Sequence, residues 1–271
     1  MKRNVYLVLI TIITVICIIA GTGYHLVHFG LSVAENLPSL GAFINAVSDR
    51  SDDENNSNHT KNGNQNAVSS VQTTLDAFTS IQADMSVVDL TIKSGDTFSI
   101  AYKTSKKLVP AYKVENNCLS ITQHSIIHNV IGSKKCSVTV TVADALTNVK
   151  LQTNVGDVDL SGLTIQTLDL GADVGDIDLK DCSLGTSTLE ADVGDVDLKN
   201  NTFQSMDISN NVGDVSVVSQ KTLSDCNIDL NTSIGDVTVN GKSCHRSYSH
   251  DGKATHSLTI SNDTGDIDLK Y

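Results

Sequence analysis

The chain has 271 residues, with 31 acidic against 19 basic side chains, a formal net charge of −12, two prolines, no tryptophan and 4% aromatic residues. That acidity excludes nucleic-acid binding, which needs a basic footprint to neutralise phosphates. The length admits two domains or one elongated one, and the abundance of Val, Ile, Thr, Asn, Asp and Ser indicates a β-rich protein.

Residues 1–4 form a short basic tail with Lys2 and Arg3, and residues 5–24 follow without a charge. Twenty such residues match the length of a bilayer-spanning helix. No A-x-A-like cleavage site lies near Ala20, so the stretch reads as an uncleaved transmembrane signal-anchor rather than a signal peptide. Basic residues flank only its N-terminal side and none recurs before Arg50. The positive-inside rule then puts the N-terminus in the cytoplasm and the C-terminal domain outside a cell membrane crossed once. Residues 25–47 are a moderately apolar juxtamembrane segment. Residues 48–70, SDRSDDENNSNHTKNGNQNAVSS, lack aromatics and aliphatic periodicity and predict a disordered linker.

Residues 71–150 predict an irregular β-rich cap, with strands at 87–92, 98–102, 112–114, 118–122 and 137–142 from their alternation. A weak Gly95-Asp96 corner suggests that the repeat logic of the next segment begins here. A cap is expected because the bare end of a repeat stack offers unpaired backbone to other chains.

From residue 151 to 271 the chain repeats itself. NVGDVDL at 154–160 returns as DVGDIDL, DVGDVDL, NVGDVSV, SIGDVTV and DTGDIDL, with glycines at Gly156, Gly175, Gly194, Gly213, Gly235 and Gly265 and spacings of 19, 19, 19, 22 and 30. A catalytic motif occurs once per site; a structural one recurs with the structure. The inward candidates of the first repeat are Val149, Leu151, Thr153 and Val155, then Val158 and Leu160, then Leu163 and Ile165, then Leu168. The step is two within each group and three between groups. A slip of one residue would reverse the faces of a flat strand, so the chain turns a corner at each slip, at Gly-Asp, near Ser161-Gly162 and near Gln166-Thr167. The expectation is an all-β fold, a parallel β-helix-like β-solenoid of about six coils, each pairing with the next. The six glycines are its structural corners, where positive φ and close backbone approach are needed. On this view Gly194→Val is costly and the same change at Gly185 matters less.

This segment carries 20 acidic and 7 basic residues, a balance of −13. Such a surface suits cations, basic peptides or sugars as partners. The second Asp of the motif, at Asp159, Asp178, Asp197 and Asp268, points outward, and tiers about 4.8 Å apart stack these carboxylates into a column. Ser216 and Thr238 interrupt it, and Lys180 and Lys199 stand beside it. A divalent cation such as calcium bridging Asp159, Asp178 and Asp197 would make a metal site there; a solvated acidic face is the alternative. The enlarged fifth coil contains CHRSYSHDGKATH, in which His245, Arg246, Tyr248 and His250 form a candidate contact loop. Cys244, His245, His250 and His256 match no familiar metal spacing. Cys118 and Cys136 bracket a hairpin symmetrically, as a cross-strand disulfide would require, with unpaired thiols the alternative; Cys182 occupies the column of Leu163 as a buried thiol. No nucleophile elbow, zinc-protease helix or phosphate loop is present, so no catalytic residue and no cofactor is assigned.

The repeats at 153–160, 172–179, 191–198, 210–217, 232–239 and 262–269, with SIAYKT and YKVENNCLSIT before them, resemble the bacterial putative-adhesin domain family. That resemblance implies a membrane-anchored β-solenoid of the cell envelope, and some relatives are linked to envelope-stress signalling. The expected function is therefore a non-enzymatic adhesion or interaction module, held by the membrane and engaging an envelope or surface ligand, protein or glycan, with an accessory role in stress sensing. The alternatives are a polysaccharide-active β-helix enzyme and a calcium-binding structural solenoid.

Overall fold

The alternation read above becomes strands throughout the computed structural model, which describes residues 68–105, 108–123, 136–253 and 255–271. The predicted tail, membrane span and juxtamembrane segment, and the linker up to residue 67, lie outside the described residues. The cap comprises β1 (Val68–Thr74), β2 (Ser80–Val87), β3 (Asp89–Ser94), β4 (Ser99–Ser105), β5 (Ala111–Glu115), β6 (Cys118–Thr122) and β7 (Ser137–Val142). The first four Gly-Asp repeats give β8 (Leu146–Val155), β9 (Val158–Ser161), β10 (Thr164–Val174), β11 (Ile177–Lys180), β12 (Ser183–Val193), β13 (Val196–Lys199), β14 (Thr202–Val212) and β15 (Val215–Val218). The last two add β16 (Asn227–Ile234), β17 (Val237–Val239), β18 (Lys242–Ser243), β19 (Ser247–His250), β20 (Ser257–Thr264) and β21 (Ile267–Lys270). Strand β1 starts at Val68 and so takes the last three residues of the predicted linker.

Two parallel-rich sheets face each other across one core. One has the order β1-β4-β7-β3-β9-β11-β13-β15-β21-β17-β18, the other β5-β6-β2-β8-β10-β12-β14-β20-β16-β19. Read together, they are eight parallel tiers among the described residues, six with Gly-Asp and two from the cap. The expected stacking of each coil on the next holds from β8/β9 to β14/β15 and then fails. The last coil, β20/β21, inserts between β14/β15 and β16/β17. The first, β2/β3, inserts in the same way between β6/β7 and β8/β9. Both terminal coils of the domain are thus held inside the stack. The repeat lengths explain how: the 22-residue step skips one tier, and the 30-residue step makes the outer edge before returning to fill the gap.

At each end of the stack one of the two sheets is closed by an antiparallel hairpin turned on two residues with positive φ. Asn116 and Asn117 (φ 51° and 60°) join β5 to β6, and Asn240 and Gly241 (φ 51° and 76°) join β17 to β18. Both pairs fit the tight hairpin turns that match strand twist. At the N-terminal edge the buried Gln123 stands in for a missing tier. Its Oε1 accepts N–H groups of Ser86 (3.2 Å) and Val87 (2.7 Å), and its Nε2 donates to the Leu108 carbonyl at 2.8 Å. Burying strand ends without such partners would leave orphaned amides, each costing about 1–3 kcal/mol.

The core consists of stacked columns. Leu151, Leu170, Leu189, Ile208, Ile260 and Leu230 share one register, and Val158, Ile177, Val196, Val215, Ile267 and Val237 another, all buried. Each such side chain contributes about 1.5–3 kcal/mol of hydrophobic stabilisation. The corner near Ser161-Gly162 is present, with Gly162 at φ 66°. The slip at Gln166-Thr167 is instead a bend within the continuous strand β10. Gly95-Asp96 lies near the column of Gly162 and is not a Gly-Asp corner; the register aligns Val88-Asp89 with Gly156-Asp157.

Candidate functional site

The Gly-Asp corner is built from three columns that run along the stack. The six glycines have φ between 124° and 153°, a region that L side chains rarely adopt. They also lie on one another: a Cβ on Gly194 would fall against the carbonyl of Gly175, 2.6 Å from its carbon. Gly185 is excluded from bulk for another reason, because a Cβ there would overlap the carbonyl of Gln166. Val at Gly185 therefore carries a crowding cost that its place outside the motif did not announce, without the positive-φ strain that Gly194 adds.

The first Asp of the motif ties tier to tier. Asp157 Oδ1 accepts the N–H of Asp176 at 3.0 Å, Asp176 that of Asp195 and Asp195 that of Asp214 at 2.8 Å. The series continues from Asp214 to Asp266 at 2.8 Å and from Asp266 to Asp236 at 2.9 Å. The sequence marks Gly-Asp as the corner without a role for its Asp; the i to i+19 recurrence was the available signal. Inside the corner, Asn262 Nδ2 donates to the Gly213 carbonyl at 2.9 Å and Thr232 Oγ1 to that of Gly265 at 2.8 Å. Asn210, in the same register, is 1% exposed, and its amide has no partner among the described residues.

The second Asp forms the expected column over three tiers, with Asp178 in register with both Asp159 and Asp197. The full order is Asp159, Asp178, Asp197, Ser216, Asp268, Thr238, so the inserted tier isolates Asp268 between Ser216 and Thr238. Partial burial, reinforced by the charges of Asp159 and Asp197, raises the pKa of Asp178 above its ordinary 3.8. Burial and then Asp157 raise that of Asp159, against a hydrogen bond from Thr91. Lys270 pairs with Asp268. Lys180 and Lys199, at the equivalent positions, stack on each other in register and form no such pair with Asp178 or Asp197. Among the described residues no three His, Cys, Asp or Glu side chains converge as metal ligands.

Val155 corrects the inward reading. It is 46% exposed because parity ends at Thr153, one residue before the chain rounds the corner. Val174, Val193 and Val212 follow it in register, and then Thr264 and Ile234. The signal was the Val or Ile before Gly-Asp in five of six copies.

The candidate contact loop folds back as the edge of the stack. The Thr232 N–H donates to the Arg246 carbonyl and β19 pairs antiparallel with β16. Tyr248 packs against the core, and His250 Nε2 is 2.8 Å from the Ser224 carbonyl. His245 and Arg246 are exposed, with His245 at φ 61°. His250 lines a shallow open groove with Asp229, Ser249, Asp251 and Thr259. Cys118 and Cys136 are free thiols on segments leading to different sheets, so no disulfide joins them. Cys182 is a buried thiol, its pKa raised by burial.

Residues 133–270 match the family described as Toastrack DUF4097, just over half of the chain. The chain belongs to the Toastrack family. No curated protein matches it in sequence. Among solved structures, a "putative cell adhesion protein" of Clostridium sporogenes is similar at 17% identity and a TM-score of 0.51, covering 75% of this chain and 99% of that one. A "putative adhesin" of Bacteroides fragilis is similar at 15% identity and a TM-score of 0.44, covering 76% and 97%. In the Toastrack domain the columns of Gly, Asp and Val are repeated surfaces, and none gathers its groups at a single point.

Proposed function

We propose that this Toastrack domain is a non-enzymatic adhesion or interaction module of a bacterial cell envelope, carried outside the cell on an uncleaved membrane anchor and serving as an accessory to envelope-stress sensing. The observation that carries the reading is the linear repetition of exposed groups. Binding along a stack uses the same contact many times, whereas catalysis needs unlike groups converging on one reacting atom. The likeness to a structure described as a putative cell adhesion protein supports the same direction.

Incubation of the chain with wall and matrix glycans and envelope proteins tests this function. Retention without product release is expected; release of cleaved glycan overturns it in favour of a polysaccharide-active enzyme. The anchor has its own check. The mature chain should keep Met1 or Lys2 and sediment with membranes, and recovery of a soluble form starting near Gly21 would show a cleaved signal peptide.

A further inference from the structure

We propose that the row of exposed aliphatic residues at the Gly-Asp corner is a docking surface for a cationic amphipathic helix of a partner protein. This deepens the interaction-module reading and rests on it. Val155, Val174 and Val212 are 46%, 40% and 41% exposed and Ile234 is 65% exposed, with the partly exposed Val193 in register among them. Six tiers about 4.8 Å apart make a row roughly 24 Å long. It is interrupted once, at Thr264. Nothing in the corner's architecture requires an apolar side chain here, since the backbone is held by the glycine and Asp columns. Four β-branched aliphatic residues on successive tiers and a fifth beyond Thr264, all at least partly exposed, form an apolar surface on the order of 300 Å2, a size at which the largest patch of a monomer is often functional.

The flanks define the partner. On one side, two residues past each position of the row, Thr264 included, run Asp157, Asp176, Asp195, Asp214, Asp266 and Asp236. On the other, immediately before it, lie Asp173, Asp192 and Asp263 among Asn154, Asn211 and Ser233. Burial and the neighbouring Asp192 raise the pKa of Asp173, so negative charge is already crowded there. A second copy laid on this row would oppose carboxylates with carboxylates, and an anionic lipid or polyanion would be repelled. Lys and Arg reaching down both sides of an apolar centre satisfy it.

Spacing selects the secondary structure. A helix offers one apolar position per turn, every 5.4 Å or so, and slips by roughly 3 Å against the row over its full length. An extended strand lying along the row presents a same-face residue only every 6.6 Å or so and is out of step by the second tier. About five turns, near 18 residues, cover the row.

The test uses three 18-residue helical peptides: one with a Leu stripe flanked by Lys, one with the same stripe flanked by Glu, and one with the Lys kept and the Leu replaced by Ser. Each is passed over the full chain immobilised through an N-terminal tag. The Leu–Lys peptide should bind, at least tenfold more tightly than either control. Val174→Ser, Val193→Ser and Val212→Ser together should weaken it at least tenfold with the melting temperature nearly unchanged. Asp176→Asn, Asp195→Asn and Asp214→Asn together, which keep an acceptor for the tier-linking N–H groups, should also weaken it and flatten its salt dependence. Absence of binding at millimolar peptide overturns the proposal. Equal binding by the triple Ser variant does so too, reducing the attraction to bulk charge. Self-association of the chain that the triple Ser variant abolishes would make the occupant a second copy and overturn it likewise. Retention of an envelope ligand by a chain that ignores the Leu–Lys peptide would leave the interaction-module reading standing and remove this inference alone.

Discussion

Asp266 donates its N–H to Oδ1 of Asp214 at 2.8 Å, across 52 residues of sequence, and its own Oδ1 accepts the N–H of Asp236 at 2.9 Å. The last coil is therefore an inner tier, bonded above and below. Segments at chain ends ordinarily fray and exchange their amide hydrogens early. Here the amide of Ile267, bonded to the Asp236 carbonyl at 3.0 Å, should exchange as slowly as that of Ile177, bonded to the Asp195 carbonyl at 2.9 Å. Hydrogen exchange read by NMR checks this. Exchange at Ile267 more than a hundredfold faster than at Ile177 would mean that the C-terminal coil opens on its own.

Three glycines separate backbone strain from crowding. Gly194 combines φ 153° with a carbonyl under its missing Cβ; Gly185 has the carbonyl alone; Gly241 has φ 76° and open space. Strain at such φ costs about 1–3 kcal/mol, and overpacking a similar amount. Thermal melting should rank Gly194→Val as the most destabilised, by about 3 kcal/mol or more, with Gly185→Val and Gly241→Ala each losing about 1–3 kcal/mol. A Gly194→Val variant as stable as Gly241→Ala would remove crowding from the account.

The tier-linking Asp can be tested without disturbing the turn. Asp195→Asn keeps an oxygen at the position that accepts the Asp214 N–H, whereas Asp195→Ala removes it. A hydrogen bond of this kind contributes about 1 kcal/mol net, more when the acceptor is charged. Denaturant unfolding should show Asp195→Ala losing about 1–2 kcal/mol and Asp195→Asn well under half of that. Equal losses would assign the effect to charge.

The parallel β-architecture was legible because its evidence is local. Leu151 and Val158, one on each side of a Gly-Asp corner, announce by their alternation that the chain turns there, and both are buried. The order of the tiers was not legible. Nothing near Gly265 states that it lies on Gly213, since identical copies of a motif pair equally well in any sequence and only the 22- and 30-residue steps hint at a skipped tier. Val155 was misread for a different reason: counting by two continues blindly into a corner whose start no single residue marks. The cap tier of β2/β3 escaped because Val88 replaces the glycine, so the repeat has no signature there. Of the candidate sites, the Asp column followed from period and parity, whereas the aliphatic row required knowing where the corner begins.

Stability should depend on pH at Asp178 in a definite sense. Its pKa is raised in the folded chain by partial burial and by Asp159 and Asp197, above the ordinary 3.8 of the unfolded chain. Below that ordinary value both states hold the proton and nothing is lost. As pH rises through the window between the unfolded and folded values, the folded state keeps a proton that the unfolded state has released, and stability falls until both are ionised. Asp178→Asn should accordingly raise the melting temperature at pH 7 and leave it unchanged near pH 3. A variant less stable than the parent at pH 7 would show that the carboxylate is favoured in the column.

The same column decides the calcium reading. Stacked carboxylates about 4.8 Å apart repel by roughly 1 kcal/mol per pair even in bulk water, and a bound divalent cation would reverse that sign. Each of the three tiers with Asp159, Asp178 and Asp197 supplies one second-position carboxylate, so an ion between Asp159 and Asp178 would draw on two of them where calcium takes 6–8 oxygens or so. The column ends at Ser216, and Asp268 beyond it is already paired with Lys270. A solvated column is the expected outcome: melting curves in EDTA and in millimolar calcium should coincide once magnesium and sodium chloride controls have accounted for screening. A rise specific to calcium, abolished by Asp178→Asn, would instead establish a bridging ion that stiffens the stack.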